Sequence, residues 1–275
     1  MVNILVPTDF SDLSKVAVNY AIKVANKFDG TVTLLHVISG IVPVRGDMSS
    51  RIKKVEMELV AQAQLDFAPV VKEAQKLNKT DNDITSKIEK GESFGKVLKA
   101  FVKKNKFDLI VMGTRGASGV SKYVLGSNTV SVLEESPIPV LAVPGNAEFK
   151  TFKNVVYATD LKHFEREVRT ILPYLKIFDS TLHAFHVVEK LKDAENLEVV
   201  VKKALKKVDY RKSTVRIDKS KKIEPAIESF VHALKADLVI MFTHKRNFYE
   251  KLFNRSMTKE MAFQTNVPLL AFKGK

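Results

Sequence analysis

The sequence contains no cysteine among its 275 residues. This absence excludes a disulfide framework, a thiolate metal site and a cysteine nucleophile, and it suits a reducing compartment. Long hydrophobic runs are also missing. The apolar start of the chain breaks well before the roughly 20 residues that a membrane span requires, and no basic segment precedes it. We therefore expect a cytoplasmic protein without membrane association.

Acidic side chains are scarce relative to basic ones, since the sequence has 31 Asp and Glu but 45 Lys and Arg, which gives a net charge of +14. Residues 1–150 hold 20 basic and 16 acidic side chains, a net of +4, whereas residues 151–275 hold 25 and 15, a net of +10. A basic half raises polyanions or an acidic partner as ligands. However, the lysines at 202–207 occur with helical spacing typical of a solvated face, and no nucleic-acid motif is present, so nucleic acid is not the favoured partner.

Four segments of the sequence occur twice, and the length also suggests two domains. The offset is 150 or 151 residues for the first two pairs and 129 for the last two, so the second copy lacks about 21 residues opposite residues 40–77. We predict domains at 1–146 and 152–275. The paired segments are 2–9 with 154–160, 33–37 with 182–187, 108–112 with 237–241, and 138–143 with 267–272.

Short runs rich in Val, Ile and Leu alternate with helical patterns in each copy. In the first copy, the runs at 2–6, 32–38, 107–112 and 139–143 are typical of parallel strands buried on both faces. The alternation over 84–88 indicates a strand nearer an edge.

Helix boundaries are marked by serines and a glycine. Ser11 or Ser14 is placed to cap the first helix, Gly30 stands where that helix ends, and Ser93 precedes another amphipathic helix. The order β-α-β-α-β-α-β-α-β predicts an α/β fold of two tandem doubly wound domains. Each is a Rossmann-like five-stranded parallel sheet with helices on both faces, and such sheets bind ligands at the carboxyl ends of their strands.

The most informative segment, residues 112–129, follows a buried strand and holds four glycines before a new helix begins at Ser127. Glycines let backbone N–H groups approach a ligand, and a helix N-terminus suits phosphate. Ser127 and Thr129 add hydroxyl groups. The segment matches neither the P-loop nor the Gly-x-Gly-x-x-Gly pattern. On spacing alone, a flexible surface loop remains the alternative interpretation.

The spacing Gly113-x2-Gly116-x9-Gly126-Ser127 resembles the ATP-binding signature of the universal stress protein family. The strand ends at 7–9, 36–38 and 136–144 are similar to those of the family as well. The resemblance covers residues 1 to about 145 as a complete domain, and the weaker repeat extends it to the C-terminus. It implies an adenine-nucleotide-binding module of a stress response, with ATP, ADP or AMP as ligand and Mg²⁺ as an optional companion.

The resemblance also implies roles for individual residues of the first copy, none of them catalytic or metal-ligating. One group lines the adenine and ribose, with Val37 acting through its backbone, and the other surrounds ribose and phosphates from the end of the fourth strand onward. The first group is Pro7, Thr8, Asp9 and Val37, and the second is Met112, Gly113, Arg115, Gly116, Gly126, Ser127 and Thr129.

Several of these residues have a simpler interpretation. Asp9 precedes a helix and is also placed to cap it. His36 lies in an apolar strand, which favours a core histidine over a catalytic base. Arg115 is either a phosphate ligand or a solvated loop charge, and Lys122 is interpreted as surface charge.

The second copy has lost the glycine signature. Non-glycine side chains restrict the backbone turns that point amides inward and take up the space that a phosphate needs. We therefore predict one nucleotide site, in the first copy, and a degenerate second domain in which Asp160 is a helix-start residue. Because basic side chains cluster in the corresponding loop of the second copy, a different anionic ligand remains an alternative. Opposite Gly113, Gly116, Gly126, Ser127 and Thr129 stand Phe242, Lys245, Arg255, Ser256 and Thr258, and Arg246 adds a further charge.

Three classes of function follow: a nucleotide-binding regulatory module, which is favoured, a slow ATP-hydrolysing enzyme, and a protein that binds nucleic acid or an acidic partner through its basic half. The resemblance further implies that the two domains pair through their last strands, at 140–143 and 269–272, as an intrachain pseudo-dimer. A further homodimer and an unidentified protein partner complete the expected partners.

Overall fold

The structure is a computed structural model that describes residues 2–40, 48–114, 126–190, 194–243 and 266–274. The chain divides into two compact units, Met1–Asn146 and Ala147–Lys275. The first contains β1 (Asn3–Pro7), α1 (Asp12–Phe28), β2 (Thr31–Ser39), α2 (Met48–Leu77), β3 (Ile84–Gly91), α3 (Phe94–Lys104), β4 (Leu109–Gly113), α4 (Ser127–Glu135) and β5 (Val140–Val143). The second contains β6 (Asn154–Ala158), α5 (Phe164–Phe178), β7 (Thr181–Val188), α6 (Ala194–Val208), β8 (Ser213–Lys219), α7 (Ile223–Ala233), β9 (Leu238–Thr243) and β10 (Leu269–Lys273).

The strands of the first unit lie in the order β3-β2-β1-β4-β5, and every pair is parallel. The chain winds outward from β1 to β3, returns to the other side of β1, and continues through β4 to β5. A crevice therefore opens at the carboxyl ends of β1 and β4, where the winding reverses. The alternating segment over 84–88 forms the edge strand β3, as predicted.

Helices cover both faces of this sheet. Helices α1 and α2 contact each other, and α3 and α4 contact each other. The strands between these layers are buried, with Ile4, Leu5 and Val6 of β1 fully enclosed. Their apolar side chains on both faces explain why the strands read as continuous hydrophobic runs.

The second unit has the corresponding strand order, β8-β7-β6-β9-β10, again all parallel. Helices α5 and α6 contact each other. On the opposite face Phe185 of β7 stacks on Phe230 of α7, with ring centroids 4.4 Å apart. The prediction of two tandem doubly wound domains is confirmed.

The copies differ most in their second helix, because α2 has 30 residues and α6 has 15. This difference lies in the region where the second copy was expected to be shorter. Within the described ranges, no helix combines the length and hydrophobicity needed to cross a membrane.

The two ends of α1 refine the expected boundaries. Ser11 is the N-cap, and its side chain accepts the Ser14 N–H at 3.2 Å. At the other end Asp29, not Gly30, takes the left-handed conformation, with φ 49°. Gly30 is required for space instead, since a Cβ there would lie 2.5 Å from the carbonyl oxygen of Val2.

Candidate functional site

The candidate site lies at the carboxyl edge of the first sheet, where β1 and β4 end side by side. Leu5 pairs with Ile110, so two residues further along Pro7 lies level with Met112, and Thr8 lies level with Gly113. Pro7 and Met112 are buried in the sheet, β1 ends before Thr8, and β4 ends at Gly113. The topology thus brings together residues that are more than 100 positions apart in the sequence.

The turn after β1 holds Asp9 at the surface. The Thr8 N–H donates to the carbonyl oxygen of Leu35 at 2.9 Å, which extends the ladder by one residue beyond β1. Asp9 is exposed, and its Oδ1 accepts the N–H of Ser11 at 3.1 Å and its hydroxyl at 2.6 Å. Because Ser11 is the N-cap, the interpretation of Asp9 as the helix cap is wrong. Asp9 instead orients the serine that caps α1.

Phe10 completes this turn with a left-handed backbone, φ 64°, which a non-glycine residue adopts at a cost of about 1–2 kcal/mol. Its N–H donates to Thr8 Oγ1 at 3.1 Å. Its ring stacks on His36, with centroids 4.6 Å apart, and meets Phe67 of α2 edge-on at 5.0 Å. No residue-type signal marks Phe10 in the sequence, because left-handed turns favour glycine or asparagine.

His36 connects β2 to the same turn. Its Nδ1 lies 2.9 Å from the carbonyl oxygen of Thr8. A carbonyl oxygen can only accept, so Nδ1 carries the proton and donates. The contacts of His36 are those expected for a histidine that positions the backbone.

Val37 directs its peptide groups toward the turn. In β2 the N–H of Thr31 and the carbonyl of Leu35 both bond on the β1 side, and alternate residues of a strand point the same way. Val37 follows this alternation, but β1 has already ended at Pro7, opposite Leu35. The backbone N–H and C=O of Val37 therefore point into the space beyond β1, beside Thr8 and Asp9.

The two ends of the glycine-rich loop are tied together. Gly126 N–H donates to the carbonyl of Thr114 at 2.9 Å, and Thr114 N–H donates to the carbonyl of Val143 at 3.0 Å. Thr129, only 2% exposed, donates its hydroxyl to the carbonyl of Gly113 at 3.0 Å. Thr114 was not among the expected site residues, and its contribution is a backbone carbonyl that no side-chain pattern could have marked.

Helix α4 begins at the end of this loop. Gly126 is its N-cap, and the first intrahelical bond is from Val130 N–H to the Gly126 carbonyl at 3.0 Å. The N–H groups of Ser127, Asn128 and Thr129 consequently have no acceptor within the helix, and Ser127 and Asn128 are exposed. Such amides, together with the helix dipole, favour an anion. Arg115, Gly116 and Lys122 lie outside the described residues.

The second unit reproduces the turn of the first almost bond for bond. The Thr159 N–H donates to the carbonyl oxygen of Phe185 at 3.0 Å, and His186 Nδ1 lies 2.8 Å from the carbonyl oxygen of Thr159. Leu161 repeats the left-handed φ of 64°, and Asp160 Oδ1 accepts the N–H of the second residue after it at 3.1 Å. Helix α5 begins only at Phe164, after the N-cap His163. Asp160 therefore builds the turn and does not start the helix as expected.

Phe242 stands where the first unit has Gly113. Its ring stacks on Phe272 with centroids 4.9 Å apart and meets Tyr157 edge-on at 5.9 Å. Tyr157 in turn stacks on Phe164 of α5. The ring of Phe242 therefore packs in an aromatic cluster on the α5 side of the sheet. Five other aligned residues lie outside the described ones: Lys245, Arg246, Arg255, Ser256 and Thr258.

A buried polar pair distinguishes the second unit further. The Tyr157 hydroxyl donates to Glu167, and both residues are at most 2% exposed. Burial, and then the neighbouring Glu167 carboxylate, raise the pKa of Tyr157 far above its ordinary value, so the phenol stays protonated. The first unit has Val6 opposite Tyr157 and, with the helix ends Asp29 and Asp179 aligned, the buried Ala17 opposite Glu167. In the parts of the chain that the structure describes, no three His, Asp or Glu side chains are grouped so as to hold a metal ion.

Comparison with known proteins decides the family. The family model described as "Universal stress protein family" matches residues 1–144, more than half of the chain. The chain belongs to the universal stress protein family. A family member from Methanocaldococcus jannaschii is 31% identical over 140 residues, which are 51% of this chain and 80% of that protein.

The similarity to universal stress proteins also extends over both units. A universal stress protein of Synechocystis is 24% identical over 296 aligned residues, covering 99% of this chain and 100% of that protein. The crystal structure of a universal stress protein from Archaeoglobus fulgidus covers 98% of both chains with a TM-score of 0.69 and 20% identity, which shows a shared fold.

Proposed function

We propose that the first unit binds an adenine nucleotide, ATP or its products ADP and AMP, and that the chain is a nucleotide-responsive cytoplasmic module of a stress response. One observation carries the proposal. The bonds from Gly126 to Thr114 and from Thr129 to Gly113 hold the start of α4 against the end of β4, at the crevice where the winding of the sheet reverses. A glycine loop is thus closed onto a helix N-terminus, an arrangement suited to phosphate.

The nucleoside side of the ligand fits the turn after β1. Asp9 is exposed and carries a carboxylate, which accepts hydrogen bonds from ribose hydroxyls. The peptide N–H and C=O of Val37 offer one donor and one acceptor side by side, which complements the edge of a purine. Thr8 and Pro7 fix the position of this turn at the end of β1.

The phosphate side fits the start of α4. The backbone amides of Ser127 and Asn128 and the hydroxyl of Ser127 are exposed donors for phosphate oxygens. Thr129 acts as a positioning residue, because its hydroxyl already bonds to Gly113. Contacts from Arg115 and Gly116 and the presence of Mg²⁺ remain predictions within the proposal.

Regulation is favoured over catalysis for this site. Asp9, the carboxylate of the turn after β1, is assigned to the nucleoside side, away from the phosphates that a base would have to serve. His36 uses Nδ1 to hold the Thr8 carbonyl. A bound nucleotide can regulate a partner only if it binds two conformations of the protein with different affinity.

Thermal unfolding with and without ATP tests the proposal on protein stripped of bound ligand. At 100 times its dissociation constant, ATP should stabilise the wild type by about 2.7 kcal/mol and raise the Tm by several degrees. Gly126→Lys should remove this shift and keep the fold, since φ −63° and ψ 146° at Gly126 are open to any residue. Thr151→Lys, which adds the same charge at an exposed position shortly before β6, should behave as wild type. No shift in the wild type would refute the proposal.

The enzyme alternative has its own readout. Multiple-turnover phosphate release by the wild type that is lost in Asp9→Ala would support ATP hydrolysis. Binding without turnover supports the regulatory function.

A further inference from the structure

Helix α2 carries a second, exposed stripe in addition to the one that it buries. Ala63, Phe67, Val70 and Ala74 face the first unit and are buried. On the other side of the helix a row of exposed residues follows the spacing 3-4-3-4 of a coiled-coil seam. We call this row the α2 seam, and its residues are Glu58, Ala61, Leu65, Ala68 and Lys72.

The centre of the α2 seam is apolar and unusually open. Leu65 is 68% exposed, and nearby Met57 is 73% exposed. Ala61 and Ala68 flank Leu65 with short side chains, which allow another helix to approach closely. Exposed apolar residues in a heptad pattern are typical of a helix-pairing surface.

The ends of the α2 seam carry opposite charges. Glu58 lies seven residues before Leu65, and Lys72 lies seven residues after it. Within the described ranges neither Glu58 nor Lys72 has an ion-pair partner, and the same holds for Lys54 one turn earlier. Glu73 pairs with Lys76 at 3.0 Å, but both side chains are more than half exposed, so this pair is weak.

This charge order is complementary to itself when it is reversed. If a second α2 lies antiparallel with the two-fold axis at Leu65, each Glu58 faces the Lys72 of the other helix. Lys54 then lies level with the other Lys76, which is itself paired with Glu73. A parallel arrangement would instead set Glu58 against Glu58 and Lys72 against Lys72, which is repulsive. An antiparallel pair about a two-fold axis is an isologous interface, the commonest kind in homodimers.

We propose that the α2 seam is an interface with a second copy of this chain, in which two α2 helices pair antiparallel about Leu65. The stretch from residue 58 to 72 is about 21 Å long at 1.5 Å per residue. A contact between two single helices over this length is short, so the dimer should form reversibly and depend on concentration. The proposal is independent of nucleotide binding.

A charge exchange tests the geometry in the full chain. Sedimentation velocity should show the wild type passing from monomer to dimer as concentration rises. Glu58→Lys and Lys72→Glu should each weaken the association about tenfold, and the double variant Glu58→Lys with Lys72→Glu should restore it. A wild type that stays monomeric, or a double variant that associates no better than the single ones, would overturn the proposal.

The absence of native cysteine permits a second test. Leu65→Cys places one thiol at the two-fold axis, so mild oxidation should convert the chain to a covalent dimer. Lys53→Cys, exposed on another side of α2, is the matched control and should stay largely uncrosslinked at the same concentration. Equal crosslinking of the two variants would contradict the pairing. So would dimerisation that depends neither on the position of the thiol nor on the charge exchange.

Discussion

Thr129 donates its hydroxyl to the carbonyl oxygen of Gly113 across 3.0 Å, and this bond joins the first turn of α4 to the last residue of β4. Sixteen positions separate the two residues, and the glycine-rich loop runs between them. The bond fixes where the free amides of α4 lie relative to the end of β4. The proposed phosphate site therefore depends on a residue that is itself buried.

Replacing Thr129 with valine should weaken nucleotide binding without removing it. The substitution keeps the shape but leaves the Gly113 carbonyl without its donor, which should lower the free energy of unfolding by about 1–3 kcal/mol. Looser loop ends should reduce ATP affinity, measured by calorimetry, by roughly one order of magnitude, equivalent to about 1.4 kcal/mol. Thr129→Ser retains the hydroxyl and should stay close to wild type. Equal effects of the two variants would show that the hydroxyl is not responsible.

The buried pair of Tyr157 and Glu167 should be important for the stability of the second unit. Tyr157→Phe removes the donor and leaves a carboxylate that is 2% exposed with less compensation, so the free energy of unfolding in denaturant should fall by about 1–3 kcal/mol. The double variant Tyr157→Phe with Glu167→Leu replaces both partners by apolar groups and should recover part of the loss. A double variant no more stable than Tyr157→Phe would show that the unpaired Glu167 is not the cause of the loss.

The same tyrosine gives a signature at high pH. Its pKa in the folded protein is raised above the ordinary value of 10.0, so above about pH 10 the unfolded chain loses this proton first. The stabilisation is complete below pH 10 and is lost as the pH rises further, by up to about 1.4 kcal/mol per pH unit for one proton. Between pH 10 and 11.5 the wild type should lose stability faster than Tyr157→Phe. If the stability of the two proteins fell equally with pH over this range, the raised pKa of Tyr157 would be contradicted.

Gly30 and Gly40 should respond to side chains for different reasons. Gly30→Ala sets a Cβ 2.5 Å from the Val2 carbonyl oxygen, and this overlap should destabilise the first unit by about 1–3 kcal/mol. Among the residues that the structure describes, a Cβ at Gly40 would meet nothing within 4 Å, but its φ of 86° is left-handed. Asparagine tolerates that region better than other side chains, so Gly40→Asn should cost only about 1 kcal/mol in thermal unfolding, from backbone strain alone. A stable Gly30→Ala variant would mean that the backbone at Val2 yields easily.

The sequence was sufficient to predict the fold. Buried parallel strands produce continuous apolar runs, and the duplicated pattern of strands and helices leads to a doubly wound order in each unit. The position of the candidate site follows from that order, because Pro7 and Gly113 end neighbouring strands.

The details of the turn after β1 could not be predicted from the sequence. Phe10 adopts a left-handed backbone that its residue type disfavours, and the contacts that sustain it come from His36 and Phe67, which are remote in sequence. The choice of Ser11 as N-cap depends on the same turn. Local propensity cannot anticipate a conformation that tertiary packing imposes.

The duplicated turn sharpens the question of where nucleotide binds. Thr159, Asp160 and His186 repeat the bonding of Thr8, Asp9 and His36 to within about 0.1 Å. The turn that we assign to the nucleoside is therefore built in both units, and their sequences differ in the glycine-rich loop. We therefore propose that the loop that ends at Gly126 decides which unit binds nucleotide.

The stoichiometry of ATP binding to the ligand-free full chain, measured by calorimetry, distinguishes one nucleotide site from two. We expect one ATP per wild-type chain and none for Gly126→Lys. Two ATP molecules per chain, or one that persists in Gly126→Lys, would contradict it, and the latter would direct attention to the turn at Asp160 in the second unit.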